Sequence, residues 1–455
     1  MKIHFIAIGG AAMHNLALAL LEKKYTITGS DDEIFEPSKS RLQKAGLLPQ
    51  KLGWFPEKIN ENLNAVILGM HARADNPELL KAQKLGLKIF SYPEFLYEQT
   101  KNKTRVVIAG SHGKTTLTSM VMHVLKSAGI EFDYMVGAQI EGFNTMVSLN
   151  ESTKIAVFEG DEYLTSPIDP RPKFHLYRPN IALINGIAWD HVNVFPTFEN
   201  YCSQFARFVE LIENNGKLIY FQHDPEIIKI AETNSRCDIE KIPFSIHPYI
   251  EKSGSTYLIP KSGAETKVSV FGKHNMQNIS GAKAICNLLG IDDSMFYQYI
   301  SGFKGSAKRL QLLFEDENTV AYLDFAHAPS KVEATVKAVR EKFPERFFIA
   351  FLELHTFSSL TKDYLAGYRG TMQGADLPIV YFNTEVVEHK KLEPLSKEFV
   401  ADEFAQKGLI VTENIAELAE LIKPHQTKKP IAALFMSSGN IGGLSKEDLI
   451  KFVCK

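Results

Sequence analysis

Short apolar, β-rich runs recur along this chain, each followed by a turn and a helix-like stretch, and that alternation restricts it to parallel α/β architecture. Three blocks of this kind follow one another. In the first, residues 3–8 read as a strand, 13–21 as a helix, 25–29 as a strand running into Ser30-Asp31-Asp32, and 65–69 as a further strand. The polar stretch 99–103 is a candidate exposed joint. The second block opens with a buried-type strand over 105–109, a glycine loop over 110–116 and a helix over 117–127. It continues through strands at 155–158 and 181–185, a helical stretch over 198–213, a β segment over 257–271 and a helix over 278–289. The Gly/Ser-rich run 302–306 marks the second boundary, and the third block alternates strands at 320–324, 347–352, 379–382 and 431–436 with helices such as 331–342 and 415–422.

With 455 residues and about 150 per domain, the chain is long enough for three domains with cores of their own. Apolar residues make up 45% and charged residues 23%, which excludes a disordered or low-complexity chain. Lys plus Arg number 51 against 53 Asp plus Glu, so no global positive field draws in nucleic acid or an anionic membrane surface. Any phosphate must be held locally. Cys202, Cys237, Cys286 and Cys454 are scattered, against both a disulfide framework and a tetrathiolate zinc site, and they suit a reducing cytoplasm. The opening residues 1–21 have the superficial look of a secretory signal but pattern as strand, glycine turn and helix. Apolar runs such as 347–352 and 431–436 stop well short of the roughly 18 residues of a membrane helix.

The sharpest chemical signal is Ala109-Gly110-Ser111-His112-Gly113-Lys114-Thr115-Thr116, between a strand and a helix. Backbone N–H groups at such a turn form an anion nest, the helix N-terminus adds positive dipole, and lysine supplies a mobile charge for the outer phosphates. Thr115 offers a hydroxyl to Mg²⁺. Ile108 stands where the strict Walker spacing has its first glycine, so this is a shortened G-x-x-G-K-T. Glu159-Gly160-Asp161-Glu162 follows the strand at 155–158, at the sheet edge where α/β folds bind ligands; it reads as a hard-oxygen Mg²⁺ anchor or as a solvated acidic turn. The loop Gly186-Ile187-Ala188-Trp189-Asp190-His191 offers His191 as a ligand or as a structural histidine.

A second glycine turn, Ala7-Ile8-Gly9-Gly10-Ala11-Ala12, approximates G-x-G-x-x-[GA] with Ala for the first glycine, and Asp31 follows about twenty residues later. It suits NAD, a nucleotide-sugar diphosphate or no ligand. In the third block, Asp324-Phe325-Ala326-His327-Ala328-Pro329 ends a strand, and residues 436–443 bring small residues to a close backbone approach or to a plain turn.

With those residues and their order along the whole chain, the sequence resembles the Mur ligase family, the ATP-dependent amide-bond synthetases of bacterial peptidoglycan metabolism. The family's phosphate loop looks like Gly110, Ser111, His112, Gly113, Lys114, Thr115 and Thr116; its acidic motif resembles Glu159 to Glu162, and its Asn-x-x-x-x-Asp-His segment Asn185 to His191. The adenine-contacting run resembles His274-Asn275-Met276-Gln277-Asn278, and Arg309 and Asp324 to His327 are similar to the third domain's nucleotide contacts. The resemblance implies an α/β fold of three domains: a Rossmann-like UDP-sugar domain over 1–100, a central P-loop ATPase-like domain with a parallel sheet over 101–302, and a Rossmann-like domain over 303–455 that closes over ATP and binds the incoming peptide. Gly9, Gly10, Ala11, Met13 and Asp31 are then expected at the UDP-sugar, and Asn275, Asn278, Arg309, Asp324 and His327 at ATP.

On that resemblance, ATP phosphorylates the lactyl carboxylate of UDP-N-acetylmuramate and an amine displaces the phosphate. Lys114, Glu159 and His191 are the expected catalytic residues, with Thr115, Glu159 and His191 as Mg²⁺ ligands. The expected acceptor is the tripeptide L-Ala-γ-D-Glu-meso-diaminopimelate of peptidoglycan recycling, because residues 168–177 resemble a segment longer in the recycling branch and Arg171 and Lys173 suit several carboxylates. The alternative is the biosynthetic addition of L-alanine. The implied partners are small molecules, with no nucleic acid or membrane, in a cytoplasmic monomer or weak dimer. Ala188 stands where the family usually has Glu, Ala328 where a second His is common, and Leu354-His355 where Pro-Arg is frequent. Two rivals need no ligase: an NAD-dependent oxidoreductase using Gly9 to Asp31, which leaves the second loop unused, and a non-catalytic nucleotide-binding protein.

Overall fold

The computed structural model describes residues 1–192, 194–252, 254–426 and 430–454. They form two compact units, one of residues 1–187, 197–245 and 281–292, the other of residues 188–196, 246–280 and 293–455. In the first unit, β1 (Lys2–Ile6) leads into α1 (Ala11–Glu22) and β2 (Thr26–Ser30). These strands belong to a four-stranded parallel sheet ordered β2, β1, Ala65–Leu68 and Ile89–Ser91. Ile6, Val66, Leu68 and Leu79 bury one of its faces. α2 (Tyr92–Thr100) follows at once, started by a capping box between Ser91 and Glu94 with a proline in its first turn.

A seven-stranded sheet in the same unit is centred on β3 (Thr104–Ala109), which feeds α3 (Lys114–Ser127), with β4 (Ile155–Glu159) and β5 (Ile181–Ile184) on either side of it. Its order is Glu240–Phe244, Lys217–Phe221, β5, β3, β4, Asp133–Met135 and Val147–Ser148, parallel except for the last pair. Val106, Val107, Ile108 and Ala109 are fully buried, as expected of a strand covered on both faces. α4 (Phe198–Glu210) adds Tyr201, Phe205 and Phe208 to the interior.

The joint expected at 99–103 is tighter than its polar composition suggests. Gln99 and Thr100 complete α2, and the buried Arg105 guanidinium donates to the carbonyls of Thr100 (3.0 Å), Lys101 (2.8 Å) and Tyr177 (2.9 Å) and to Glu213 (3.0 Å). Carbonyls left over at a helix end thus find a donor from the next strand.

α5 (Lys273–Leu288), whose first eight residues belong to the second unit and the rest to the first, begins five residues ahead of the expected 278, and the expected β segment is, in the second unit, a three-stranded antiparallel sheet of Tyr249–Lys252, Ser255–Leu258 and Thr266–Val268. β6 (Thr319–Asp324), α6 (Pro329–Lys342), β7 (Phe347–Leu354) and β8 (Ile431–Met436) build a six-stranded sheet ordered Gln311–Glu315, β6, β8, β7, Leu377–Phe382 and Ile410–Thr412. All its pairs are parallel except the edge strand Gln311–Glu315, which the alternation alone did not predict. Phe348, Ala350 and Leu352 face one core and Ile349 and Phe351 the other, so helices cover both sides. Among the described residues no helix is long and apolar enough to cross a membrane.

Candidate active site

At the end of β3 the chain turns through Gly110 at φ +128°, where a Cβ would come within 3.0 Å of the Asn185 backbone nitrogen. That closeness is used: Asn185 N–H donates to the Ala109 carbonyl (3.0 Å), Ser111 N–H to the Gly186 carbonyl (2.8 Å), and Asn185 Nδ2 to the His112 carbonyl (3.1 Å). Gly113, also left-handed at φ +72°, caps α3 with no side-chain cap, so the first-turn N–H groups that lack intrahelical partners face the loop.

Three carboxylates at and just beyond the end of β4 are shared out. Glu159 accepts from Thr115 Oγ1 (2.8 Å) and Gly137 N–H (2.7 Å), Asp161 from Lys173 Nζ (2.6 Å), and Glu162 from Lys114 Nζ (2.6 Å) and the Tyr201 hydroxyl (3.1 Å). Lys114 also donates to the Gly110 carbonyl (2.7 Å), and Tyr201 Oη lies 2.8 Å from Ser111 Oγ. Burial works against both ammonium ions, but Glu162 and Asp161 at Lys114, and Asp161 at Lys173, outweigh it and raise their pKa values. The Thr115 hydroxyl and the Glu159 carboxylate bring hard oxygens together beside the loop, a donor set that fits Mg²⁺.

The first turn is arranged differently. Gly9 N–H donates to Asp31 Oδ2 (2.6 Å), Gly10 is the N-cap residue of α1 with Ala11 first in the helix, and Met13 is buried. Burial, against the Gly9 hydrogen bond, raises Asp31 to about 6. Arg171, on the short edge strand Asp169–Pro172, is bound through Nε (2.9 Å) and Nη2 (2.6 Å) to Asp169, with Glu94 3.6 Å away. Neither Arg171 nor Lys173 is a free cation.

The second unit gathers its own set. Asp190 pairs with Lys331 of α6 (3.0 Å) and accepts the His191 N–H (2.8 Å); burial notwithstanding, Lys331, His191 and His327 hold its carboxyl far below the usual range. His191 itself has a left-handed backbone, φ +54°, an uncommon state for a non-glycine residue. Burial, then the Lys331 charge, lowers His327 to about 4, and its Nδ1 lies 2.8 Å from the Phe325 carbonyl. Asp324 accepts N–H bonds from Leu310 (2.6 Å) and Ala326 (2.7 Å), Arg309 lies over the Phe325 ring at 4.4 Å, and Asn275 Nδ2 donates to the Phe271 carbonyl (2.8 Å). Asn278 is buried in α5, burial lowers His274 to about 4, and Ala328 is the buried N-cap residue of α6.

Each unit thus collects its own share of the expected residues, Lys114, Thr115 and Glu159 in the first, His191, Asp324 and His327 in the second. Sequence reasoning passed over Tyr201, Gly137, Lys331 and Glu353. Glu353 accepts from Ser437 Oγ and from the N–H groups of Ile441 (3.0 Å) and Gly442 (2.9 Å), organising the loop after β8. Its signal was readable: an acid inside the apolar run 347–354 needs buried donors.

Against protein families, residues 2–104 match the "Mur ligase family, catalytic domain" and residues 108–286 the "Mur ligase middle domain". A curated relative, the UDP-N-acetylmuramate–L-alanine ligase of Caldicellulosiruptor bescii, is 30% identical over 396 residues, 83% of each chain. The chain belongs to the Mur ligase family. Among solved structures, this Mur ligase has the fold of a UDP-N-acetylmuramate-alanine ligase from Thermotoga maritima (TM-score 0.73, 21% identity, 99% of each chain). It also has that of a murein peptide ligase from Psychrobacter arcticus (TM-score 0.67, 23% identity, 100% of this chain and 99% of the other). It is an ATP-dependent, ADP-forming amide ligase.

Proposed function

We propose that this Mur ligase joins L-alanine to UDP-N-acetylmuramate through an acyl phosphate. The observation that carries the activation half is Lys114, held between the Gly110 carbonyl and Glu162 at a loop whose next residue, Thr115, meets Glu159. A carboxylate cannot expel oxide, whereas an acyl phosphate loses phosphate readily, so the γ-phosphoryl group of ATP goes first to the lactyl carboxylate. The neutral amine then attacks and the tetrahedral adduct collapses to the amide. No enzyme nucleophile is needed. Lys114 neutralises charge on the moving phosphoryl group, and the N–H groups of the loop and of the first turn of α3 orient the phosphates. Thr115 and Glu159 would hold Mg²⁺, which when bound supplies further neutralisation of phosphate charge.

On this reading residues 1–100 take the UDP-sugar through the Gly9–Met13 turn, residues 101–302 the triphosphate, and residues 303–455 close over the nucleotide, with Asn275, Asn278, Arg309, Asp324 and His327 on its base and ribose side. His191 is the candidate second metal ligand.

For the acceptor, the 30% identical relative acts by name on L-alanine. The expectation of the tripeptide rested on the resemblance of residues 168–177 to a segment longer in the recycling branch and on Arg171 and Lys173 as partners for several carboxylates; both cations are already paired, with Asp169 and Asp161. The length of that segment still favours the tripeptide as a second reading, as does the Arg171 side chain, 57% exposed and able to exchange partners. Coupling assays with ATP, Mg²⁺ and UDP-N-acetylmuramate, following phosphate release and product mass, separate the two. L-Alanine should exceed the tripeptide in kcat/KM by at least about ten-fold, a gap of about 1.4 kcal/mol. The reverse order would replace the first reading by the second.

A further inference from the structure

We infer that Glu162 is a positioning residue for Lys114, its carboxylate standing in for nucleotide phosphate and giving the lysine up when phosphate arrives. This rests on the reading above that Lys114 meets the triphosphate. Three features single out Glu162. First, the neighbouring acids are engaged elsewhere, Glu159 with Thr115 and Gly137, Asp161 with Lys173. Second, the Glu162 side chain is 1% exposed, so its charge depends on protein partners, and Lys114 at 2.6 Å is a cationic one. Third, the other carboxylate oxygen accepts from Tyr201, whose hydroxyl also meets Ser111. Ser111 lies on the loop and Lys114 opens the helix it leads into, so a single buried acid, carried on the segment after β4 and steadied from α4, is linked to both.

Two consequences follow for ligand binding. A lysine held by Glu162 must leave it, wholly or in part, to reach a phosphate, which lowers the fraction of chains ready to bind and weakens apparent affinity by that fraction. Once phosphate is present, the two anions oppose each other across the lysine, and Glu162 reclaims Lys114 as ADP departs. The acid therefore sets nucleotide affinity and release without touching the reacting atoms.

The test is Glu162→Gln, which keeps the volume and an oxygen for Tyr201 but removes the charge. Calorimetry should find ADP bound at least about three-fold more tightly, with a lower KM for ATP, an unchanged KM for UDP-N-acetylmuramate and a lower kcat as ADP leaves more slowly. In a Lys114→Met background the same substitution should leave ADP affinity unchanged, because the effect runs through the lysine. Tyr201→Phe removes one hydrogen bond from the carboxylate, strengthens its hold on Lys114 and should weaken ADP binding by about two-fold. Unchanged or weaker ADP binding in a folded Glu162→Gln protein, or tightening that persists without Lys114, would overturn the inference. If Glu162→Gln does not fold, Tyr201→Phe decides by its sign. Should Lys114→Met alone leave ADP affinity and turnover intact, it is the nucleotide-loop reading that fails instead.

Discussion

The β1–α1 turn and the β3–α3 loop are built alike and charged oppositely. Both carry a buried parallel strand through glycines into a helix whose N-cap residue is a glycine without a side-chain cap. At the first, an acid from the end of β2, Asp31, takes the Gly9 N–H for itself. At the second, the acids from β4 and beyond take side chains of α3, Lys114 and Thr115, rather than loop N–H groups. The strand–glycine–helix pattern sets out backbone donors; what reaches them from neighbouring strands decides the chemistry.

The contrast is open to tests of decreasing size. Lys114→Ala should cut turnover by about 10²–10³-fold, the scale for losing one charge-stabilising group, with UDP-N-acetylmuramate affinity nearly unchanged by titration. A variant keeping half its activity would erase the distinction between the turns. Asp31 gives the first turn a pH response that Lys114 does not give the second. With its pKa raised from 3.8 to about 6, Asp31 holds a proton more tightly in the folded chain. Its stabilising contribution is complete below about pH 4 and is lost as pH rises through about 6, up to roughly 3 kcal/mol at 1.4 kcal/mol per unit. Asp31→Asn should therefore gain stability relative to the parent between pH 4 and pH 7 in denaturant titrations, and a constant difference would show that the acid carries no such penalty. Lys114, raised rather than lowered, stays charged across that range and adds no slope.

The smallest effects distinguish the glycines. Gly110→Ala forces a side chain into a left-handed backbone against Asn185, for about 1–3 kcal/mol of lost stability. Gly10 has φ −58° and a Cβ there meets Met13 at an ordinary 3.5 Å, so Gly10→Ala should cost about 0.5 kcal/mol or less. Equal shifts in Tm for the two would mean that the loop is no more constrained than the turn.

Much of this was legible beforehand. The strand expected at 105–109 is observed as Thr104–Ala109, and that at 431–436 as Ile431–Met436, because fully buried parallel strands are written as unbroken apolar runs. Edge pieces were harder. Asp169–Pro172 contains two prolines, which read as breakers yet are tolerated on an edge, and Gln311–Glu315 carries only partial burial to mark it. In the site, Lys114, Thr115 and Glu159 were identifiable from motif and strand end, but Tyr201, on a helix many residues downstream, left no local signal.

By itself, then, the order of residues determined a plan of three successive α/β blocks, the phosphate-type loop and the acids at and beyond the end of β4, since each depends on spacing within a short stretch. Tertiary structure alone decided which acid pairs with which cation: Glu162 with Lys114, Asp161 with Lys173, Asp169 with Arg171, Asp190 with Lys331. Ion pairs are chosen by distances of a few ångströms and by burial, and neither is set until strands far apart in sequence lie side by side.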